Sequence, residues 1–526
     1  MGAARLLPTA FCGLLLPLMI AGRGLLHASK NDQPQLTKDY CINYNSLKTL
    51  PSTLSGTSST NLIVLTHKLL CNHSEVLTEQ IKDKAVAIKR GTCTFLEKAD
   101  IAESHGAKIL LIVSETELVS PDVNVSIQVA LIRNVDILDM QKTLGNNINV
   151  TLYSPPLPTF DYSLVVIFLI AVLSVALGSY WSGMLELENL KASASSGSLE
   201  SQGKKEECVL TPPLTVVFVI MSAVMLILMY FFYKWLVYFF IAVFCLSSAM
   251  SLFSCLAVLI RKIPFGQCRV TFRNASFEVR LIFLAGICMA TSIVWGVFRN
   301  EDRWAWILQD ILGASFCIHL LKIIKLPHFK SCVILLSLLL VYDVFFVFIT
   351  PYITKSGQSI MVEVAAGPPG VKEKSDGNLL EASAERSAPH EKLPVLIKVP
   401  RLQFFSIPTC DVQFSILGLG DIVVPGLLVA YCHRFDVQTS SSSVYFISNV
   451  IAYALGMVIT FVALALMKMP QPALLYLAPC TLIAAALVAL CRKEMKKFWN
   501  GSTYQVMDLT ANEENAPTAR EQPRRQ

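Results

Sequence analysis

From residue 163 onward the sequence is a succession of apolar runs, each roughly long enough to cross about 30 Å of hydrocarbon as a helix. We place spans at 163–181, 213–233, 236–260, 281–298, 306–324, 331–351, 413–431, 443–467 and 472–491. Such runs leave few folds open. In lipid every backbone N–H and C=O must be satisfied within the protein, and a helix does this inside one segment. Composition agrees: 53% of residues are hydrophobic, 16% are charged, and the mean hydropathy is +0.54. The formal charge of +6 is small for 526 residues, and no basic face interleaved with aromatics points to nucleic acid. The expected architecture is a multi-pass α-helical membrane protein with lipid around it. The second and third runs are nearly continuous and must turn at 233–235. The fifth is the weakest, because it holds Gln309 and Asp310.

The first 160 residues differ in kind. Arg5 precedes an apolar stretch, 6–22, which is short and interrupted by prolines, and small residues follow. This reads as a secretory signal, residues 1–28. Residues 29–160 then form a lumenal domain, where the sequons at Asn72, Asn124 and Asn149 become glycosylation candidates. Cys41, Cys71 and Cys93 lie here; an oxidising lumen allows one disulfide among them and leaves one cysteine over. With no CxxC and no histidine cluster, neither a metal nor a cofactor is expected. Within KAVAIKRGTCTFLEKADIAESHGAKILLIVSE (84–115), AVAI is a strand and RGTC a turn. Thr94 and Glu97 have capping-box spacing, Gly106 suits a helix end, and ILLIV is a second strand. That is a β-α-β unit of a small α/β domain. Its glycine-cysteine turn, aromatic, lysine-alanine and glycine-alanine resemble the protease-associated domain.

A lumenal start and nine spans put the carboxy terminus in the cytosol. Lys191, Lys204, Lys205, Arg261, Lys262, Arg269, Arg273, Arg280, Lys322, Lys325, Lys330, Arg434, Arg492, Lys493, Lys496 and Lys497 fall in connections assigned to the cytosol. Only Lys234, Arg299, Arg303 and Lys468 fall in short lumenal ones, as the positive-inside rule requires. The long connection 352–412 is lumenal, and 492–526 is a cytosolic tail.

Two carboxylates stand deep in apolar runs: Asp343 in LLLVYDVFFVF and Asp421 in LGLGDIVV. An unpaired charge at the bilayer centre costs at least ~2.5–3.5 kcal/mol. Counted along helices that end near Pro351 and begin near 413, both acids lie roughly 12 Å from the lumenal boundary. Antiparallel neighbours could bring them face to face. Two carboxylates at close range cannot both ionise readily, so the pair shares a proton. Such a pair can activate water and bind the peptide carbonyl, as in an aspartic protease. Gly418 and Gly420 leave room for a helix or substrate backbone, and Pro425 weakens the helix one turn on. The alternative reading of paired intramembrane acids is a non-proteolytic proton-coupled transporter or scaffold.

Tyr342-Asp343, Gly418-Leu419-Gly420-Asp421 and Gln471-Pro472-Ala473-Leu474 occur in that order, each in or at a span. This combination resembles the GxGD intramembrane aspartyl proteases, the presenilin and signal peptide peptidase group. QPALLYL (471–477), LGLGDIVVPG, FRNEDRWAWILQDILG (298–313) and CRKEMKKFW (491–499) are similar to the signal peptide peptidase branch. The resemblance implies a presenilin-like nine-span fold. It makes Asp343 and Asp421 the catalytic pair and has Tyr342, Gly418, Gly420, Pro472, Ala473 and Leu474 shape the site. It further implies type II single-span substrates, cut as stubs after shedding to release intracellular domains. Assembly with further copies of the chain stays open.

Four further readings complete the picture. SIMVEVA (359–365) and KLPVLIKVP (392–400) look like strands of a hairpin that could pair with an extended substrate. Residues 370–390 read as a disordered insert. Asp310 is given a structural role. Tyr504 and Met507 frame a Tyr-x-x-apolar signal for sorting adaptors, pointing to late endosome and lysosome membranes, with the plasma membrane as second choice.

Overall fold

The computed structural model describes residues 23–501 except 32, 45–49, 55–58, 73–80, 92, 116–124, 146, 155–160, 196–207, 262–268, 273–274, 302, 355–358, 362–363, 365–392, 402–409, 411–413, 440–441 and 468–470. The sequon at Asn124, the tail positions Tyr504 and Met507, the insert 370–390 and residues 1–22 lie outside the described residues. The chain divides into two compact units. One comprises the described residues up to Tyr162 together with those of Pro400–Gln413. The other begins at Ser163 and holds the long helices.

The first unit is a closed barrel. Its strands are β1 (Arg23–Lys30), β2 (Gln33–Tyr44), β3 (Thr60–Leu65), β4 (Ala85–Lys89), β5 (Ile109–Ser114), β6 (Gln128–Arg133) and β7 (Ile148–Tyr153), with α1 (Phe95–Ser104) and α2 (Asn134–Leu144) between them. The order around the barrel is β1-β2-β6-β5-β4-β3-β7, and β7 pairs back onto β1. Closure removes sheet edges. The β-α-β unit expected from 84–115 is present. β4 and β5 pair in parallel across α1, and both bonds of the Thr94–Glu97 capping box form. Gly106 ends the helix with φ +79°, a backbone state that costs glycine little.

Two expectations about this unit change. β1 begins at Arg23, inside the segment read as a signal, and Leu25, Leu26 and Ala28 are buried in the barrel. A cut near residue 28 would remove most of a core strand, so the folded domain begins before that boundary. The cysteine count also closes differently. Cys71 pairs with Cys93, and Cys41, the cysteine this leaves over, pairs with Cys410 at a sequence separation of 369. The partner was missed because it lies in the connection between the sixth and seventh spans, far outside the N-terminal domain. Cys410 packs there against Leu25 and Tyr153, and Arg401 of the same connection faces Asp161 at 3.6 Å. Asn72 is exposed beside Cys71; the Asn149 amide donates to Asn31 Oδ1 at 3.0 Å.

The second unit contains α3 (Tyr162–Ser195), α4 (Pro212–Phe231), α5 (Tyr233–Arg261), α6 (Val279–Phe298), α7 (Ala305–Ile323), α8 (Phe329–Val344), α9 (Thr350–Ile353), α10 (Leu419–Gln438), α11 (Val444–Met467), α12 (Leu474–Cys491) and α13 (Met495–Asn500). Short pairings β8 (Cys208–Val209) with β11 (Ile324–Lys325), and β9 (Arg269–Phe272) with β10 (Ala275–Glu278), join helix ends. β12 (Leu396–Pro400) pairs with β13 (Phe414–Gly418). Among the described residues, eight helices are long and apolar enough to cross a membrane, at every predicted span but the seventh. The seventh is α10, less apolar because it carries Asp421, Arg434 and Asp436. Among the described residues this 20-residue helix stands at the seventh expected position, which agrees with a nine-span reading.

α10 departs from the expected bounds at both ends. Residues 414–418 are a strand, so the helix starts at Leu419 and Asp421 sits in its first turn. The equal-depth count from residue 413 therefore does not apply to Asp421. At its other end the helix continues to Gln438 and buries Arg434, which sequence placed in a cytosolic loop. Arg434 donates to Ser182 Oγ at 2.7 Å and to the Leu326 carbonyl at 3.3 Å. These bonds offset the desolvation of a buried guanidinium. The strand expected at 359–365 is also overturned: Ile360, Met361 and Val364 are helical. The strand expected within 392–400 is β12, but its partner is β13.

Candidate active site

Local chemistry fixes Asp421. Gly418 is the last residue of β13 and the N-cap of α10, which makes Asp421 the third helical residue. A carboxylate there reaches back to the N-cap amide, one half of a capping box. It takes that bond from the Gly418 N–H. The glycine, one short residue and the acid of GLGD are thus a strand-to-helix turn with its own cap. A Cβ on Gly418 would lie 3.1 Å from Asp421 Oδ2, so the glycine keeps space for the carboxylate itself. Gly420 is exposed and a Cβ there meets open space. The close helix neighbour expected at Gly420 is absent among the described residues.

Pro425 acts back on the same residue. It has no N–H, so the carbonyl four positions earlier, that of Asp421, loses its helical partner. The hydroxyl of Tyr453, fully buried on α11, donates to that carbonyl at 3.3 Å. Span eight thereby holds the backbone of the acid. Replacing Tyr453 by phenylalanine removes one donor and leaves a buried carbonyl unpaired. We expect turnover to fall about five- to tenfold at unchanged substrate KM, because a bond of about 1 kcal/mol that holds the backbone of Asp421 is lost. Steady-state cleavage kinetics in detergent or liposomes check this.

Asp343 lies near the end of α8 and is buried. Immediately after it, Phe345–Ile349 is a π-helical turn, a device common beside functional sites. Thr350 closes the turn by donating to the Phe346 carbonyl at 2.6 Å, and its hydroxyl accepts the Ile360 amide at 3.1 Å. Tyr342 is half-buried with its ring 4.7 Å from that of Phe346. Pro472 and Ala473 are buried and lead into α12, whose first amides have no intrahelical partner. One of them, Leu474 N–H, donates to the Asp343 carboxylate. The free backbone group that proline was expected to offer a substrate is here aimed at the acid. Among the described residues, Asp343 Oδ2 is buried without a hydrogen-bond partner.

The two carboxylates are close enough that the Asp343 charge acts on Asp421. Helices α8, α10 and α12 pack on one another and bring the tyrosine-aspartate, GLGD and proline-alanine-leucine segments to one place.

The pattern described as Signal peptide peptidase matches residues 202–505 of the sequence. The chain belongs to the signal peptide peptidase family. A second pattern, the PA domain, matches residues 58–140, within the barrel. Among relatives in the signal peptide peptidase family, human Signal peptide peptidase-like 2A is 56% identical over 97% of this chain and 96% of that one. Its mouse counterpart is 54% identical over 97% of this chain and 96% of that one. Chicken Signal peptide peptidase-like 2B is 46% identical over 94% of this chain and 82% of that one.

In this member of the signal peptide peptidase family, sequence reasoning found the acids but missed Tyr453 and the pairing role of 414–418. Half of the Tyr453 signal was readable: Pro425 stands four residues after Asp421, which names the orphaned carbonyl. The donor comes from another helix and has no local signature.

Proposed function

We propose that the chain is an intramembrane aspartic endopeptidase that hydrolyses a peptide bond within the transmembrane segment of type II single-span proteins. Family membership supports the reaction class. The observation that carries it is the pair of buried Asp343 and half-buried Asp421, each held by one backbone amide. In the reaction, the ionised carboxylate takes a proton from water as its oxygen attacks the scissile carbonyl carbon. The protonated carboxyl hydrogen-bonds the developing oxyanion. Collapse breaks the C–N bond, and the leaving nitrogen takes the proton. Water is the only co-reactant, so no cofactor enters.

An unwound substrate can add as a further strand to the β12–β13 pair, with Ile416 exposed beside the site. The Cys41–Cys410 bond supports a lumenal position for the connection before span seven, since disulfides form and persist in oxidising compartments. With the positive-charge asymmetry, this favours a lumenal barrel and substrates whose amino terminus is cytosolic. Endosomal and lysosomal membranes, reached through the Tyr504–Met507 tail signal, are the proposed site of action; stubs left by shedding are the proposed substrates.

The test uses liposomes holding the full chain and one reporter span built in two orientations. Cleavage inside the span is expected for the type II reporter, with at most a few per cent for the type I version. Equal cutting of both rejects the orientation; cutting of neither rejects the protease.

A further inference from the structure

We propose that Gln309 and Asp310, on α7, are positioning residues that fix β12 and through it set where the GLGD turn stands and which substrate bond meets the acids. The inference rests on the reading of Asp421 as catalytic and deepens it. Both side chains are buried in a helix whose other large polar residues, His319 and Lys322, stand near its far end. Neither spends its polar atoms within its own helix. Gln309 Nε2 donates to the Leu396 carbonyl at 2.7 Å, and Asp310 Oδ1 accepts the Lys398 amide at 2.9 Å. Adjacent side chains on one helix thus take a carbonyl and an amide two positions apart on the same strand.

The strand in turn touches the catalytic turn. Leu419 N–H donates to the Val395 carbonyl at 3.0 Å, which carries the β12–β13 pairing into the first residue of α10. The same face of α7 supports that residue directly. Gly313 and Cys317 follow Gln309 at helical spacing. A Cβ on Gly313 would lie 3.3 Å from the Leu419 side chain, and Cys317 Sγ stands 4.0 Å from the Leu419 carbonyl. Gln309, Gly313 and Cys317 therefore form one stripe that meets β12 at one end and the start of α10 at the other. Span five is the bench on which the strand and the turn are jointly set. A lipid-facing role explains none of this, and neither does a second acid pair. The carboxyl acts through its acceptor oxygen on a backbone amide.

Asparagine keeps that acceptor; leucine does not. The experiment compares Asp310→Leu, Asp310→Asn and Gln309→Met in the full chain. The cut positions in a single-span reporter are read by mass spectrometry, and backbone amide exchange is followed in parallel. For Asp310→Leu and Gln309→Met we expect amides of 396–399 and 414–418 to exchange roughly tenfold faster, the helices being unchanged. Cleavage is expected to fall about 10- to 100-fold, since a displacement near 1 Å suffices for that, and the cuts to spread over neighbouring bonds. Asp310→Asn should restore rate to within about threefold and restore the single cut position. Wild-type rate and cut position in both Asp310→Leu and Gln309→Met overturn the proposal. Asp310→Asn as impaired as Asp310→Leu overturns it too, since the residue would then be acting through its proton or charge. If Asp310→Leu loosens the whole bundle, Gln309→Met, which removes one bond, decides alone. Asp421→Asn is run alongside: cleavage by that variant defeats the catalytic reading, while the exchange data still report whether the pair holds the strand.

Discussion

Asp421→Asn and Asp343→Asn are each expected to abolish cleavage, by at least about 10⁴-fold, with the double variant no worse than either alone. Asparagine is close in shape and keeps an oxygen for the Gly418 amide at one acid and the Leu474 amide at the other. The fold therefore has what it needs, and the proton chemistry does not. Groups that act as one machine are far from additive, because removing either member already stops the reaction. Thermal stability is expected to hold or rise, since each change removes an ionisable group held within an apolar bundle. The checks are cleavage of a single-span reporter in liposomes and a melting curve for each variant. Retention of more than about 1% of turnover by either single variant would exclude a two-carboxylate mechanism.

The second large effect is covalent and all-or-none. Cys41 and Cys410 are joined across 369 residues, and Cys71 and Cys93 across 22. A protease site engineered into 370–390 cuts the chain between the two ends of the long bridge. We expect the cut protein to run as one band without reductant and as two with it. Cys410→Ser should give two bands under both conditions. Two bands from the unsubstituted protein without reductant would show that the bridge does not form, and would remove the main structural support for a lumenal connection before span seven. No comparable separation arises from the short bridge, whose two cysteines stay on one fragment.

How far the molecule could be read beforehand depended on the kind of signal. The long helices were legible because length and apolarity alone impose them in lipid. The capping box at Thr94 was legible because it is local. The start of span seven was not: FSILG (414–418) is as apolar as the helix it precedes, so hydropathy merges a strand with a span. SIMVEVA carries β-branched residues, yet Ile360, Met361 and Val364 are helical; packing overrode propensity, as it does for short segments. Arg434 looked like a loop cation because a charge usually marks the end of a span. Here it sits inside a helix that faces protein and finds a serine and a carbonyl. Asp343 and Asp421 were legible because ionisable groups in apolar runs are rare. Their supports, Tyr453, the Leu474 amide and the Gln309–Asp310 pair, were not, because each is a contact between distant parts of the chain.

The long bridge also orders the birth of the molecule. A ribosome adding about 5–20 residues per second delivers Cys71 and Cys93 within seconds of one another, but Cys410 trails Cys41 by roughly 20–75 s. The barrel must therefore wait with one thiol open while six helices and their connections are made. Every copy cut short before residue 410 keeps that thiol, and only a chain made past its sixth helix can close it in this bond. The bond is thus a seal on the passage of the first six helices, applied to the first domain by a segment 369 residues further along the chain.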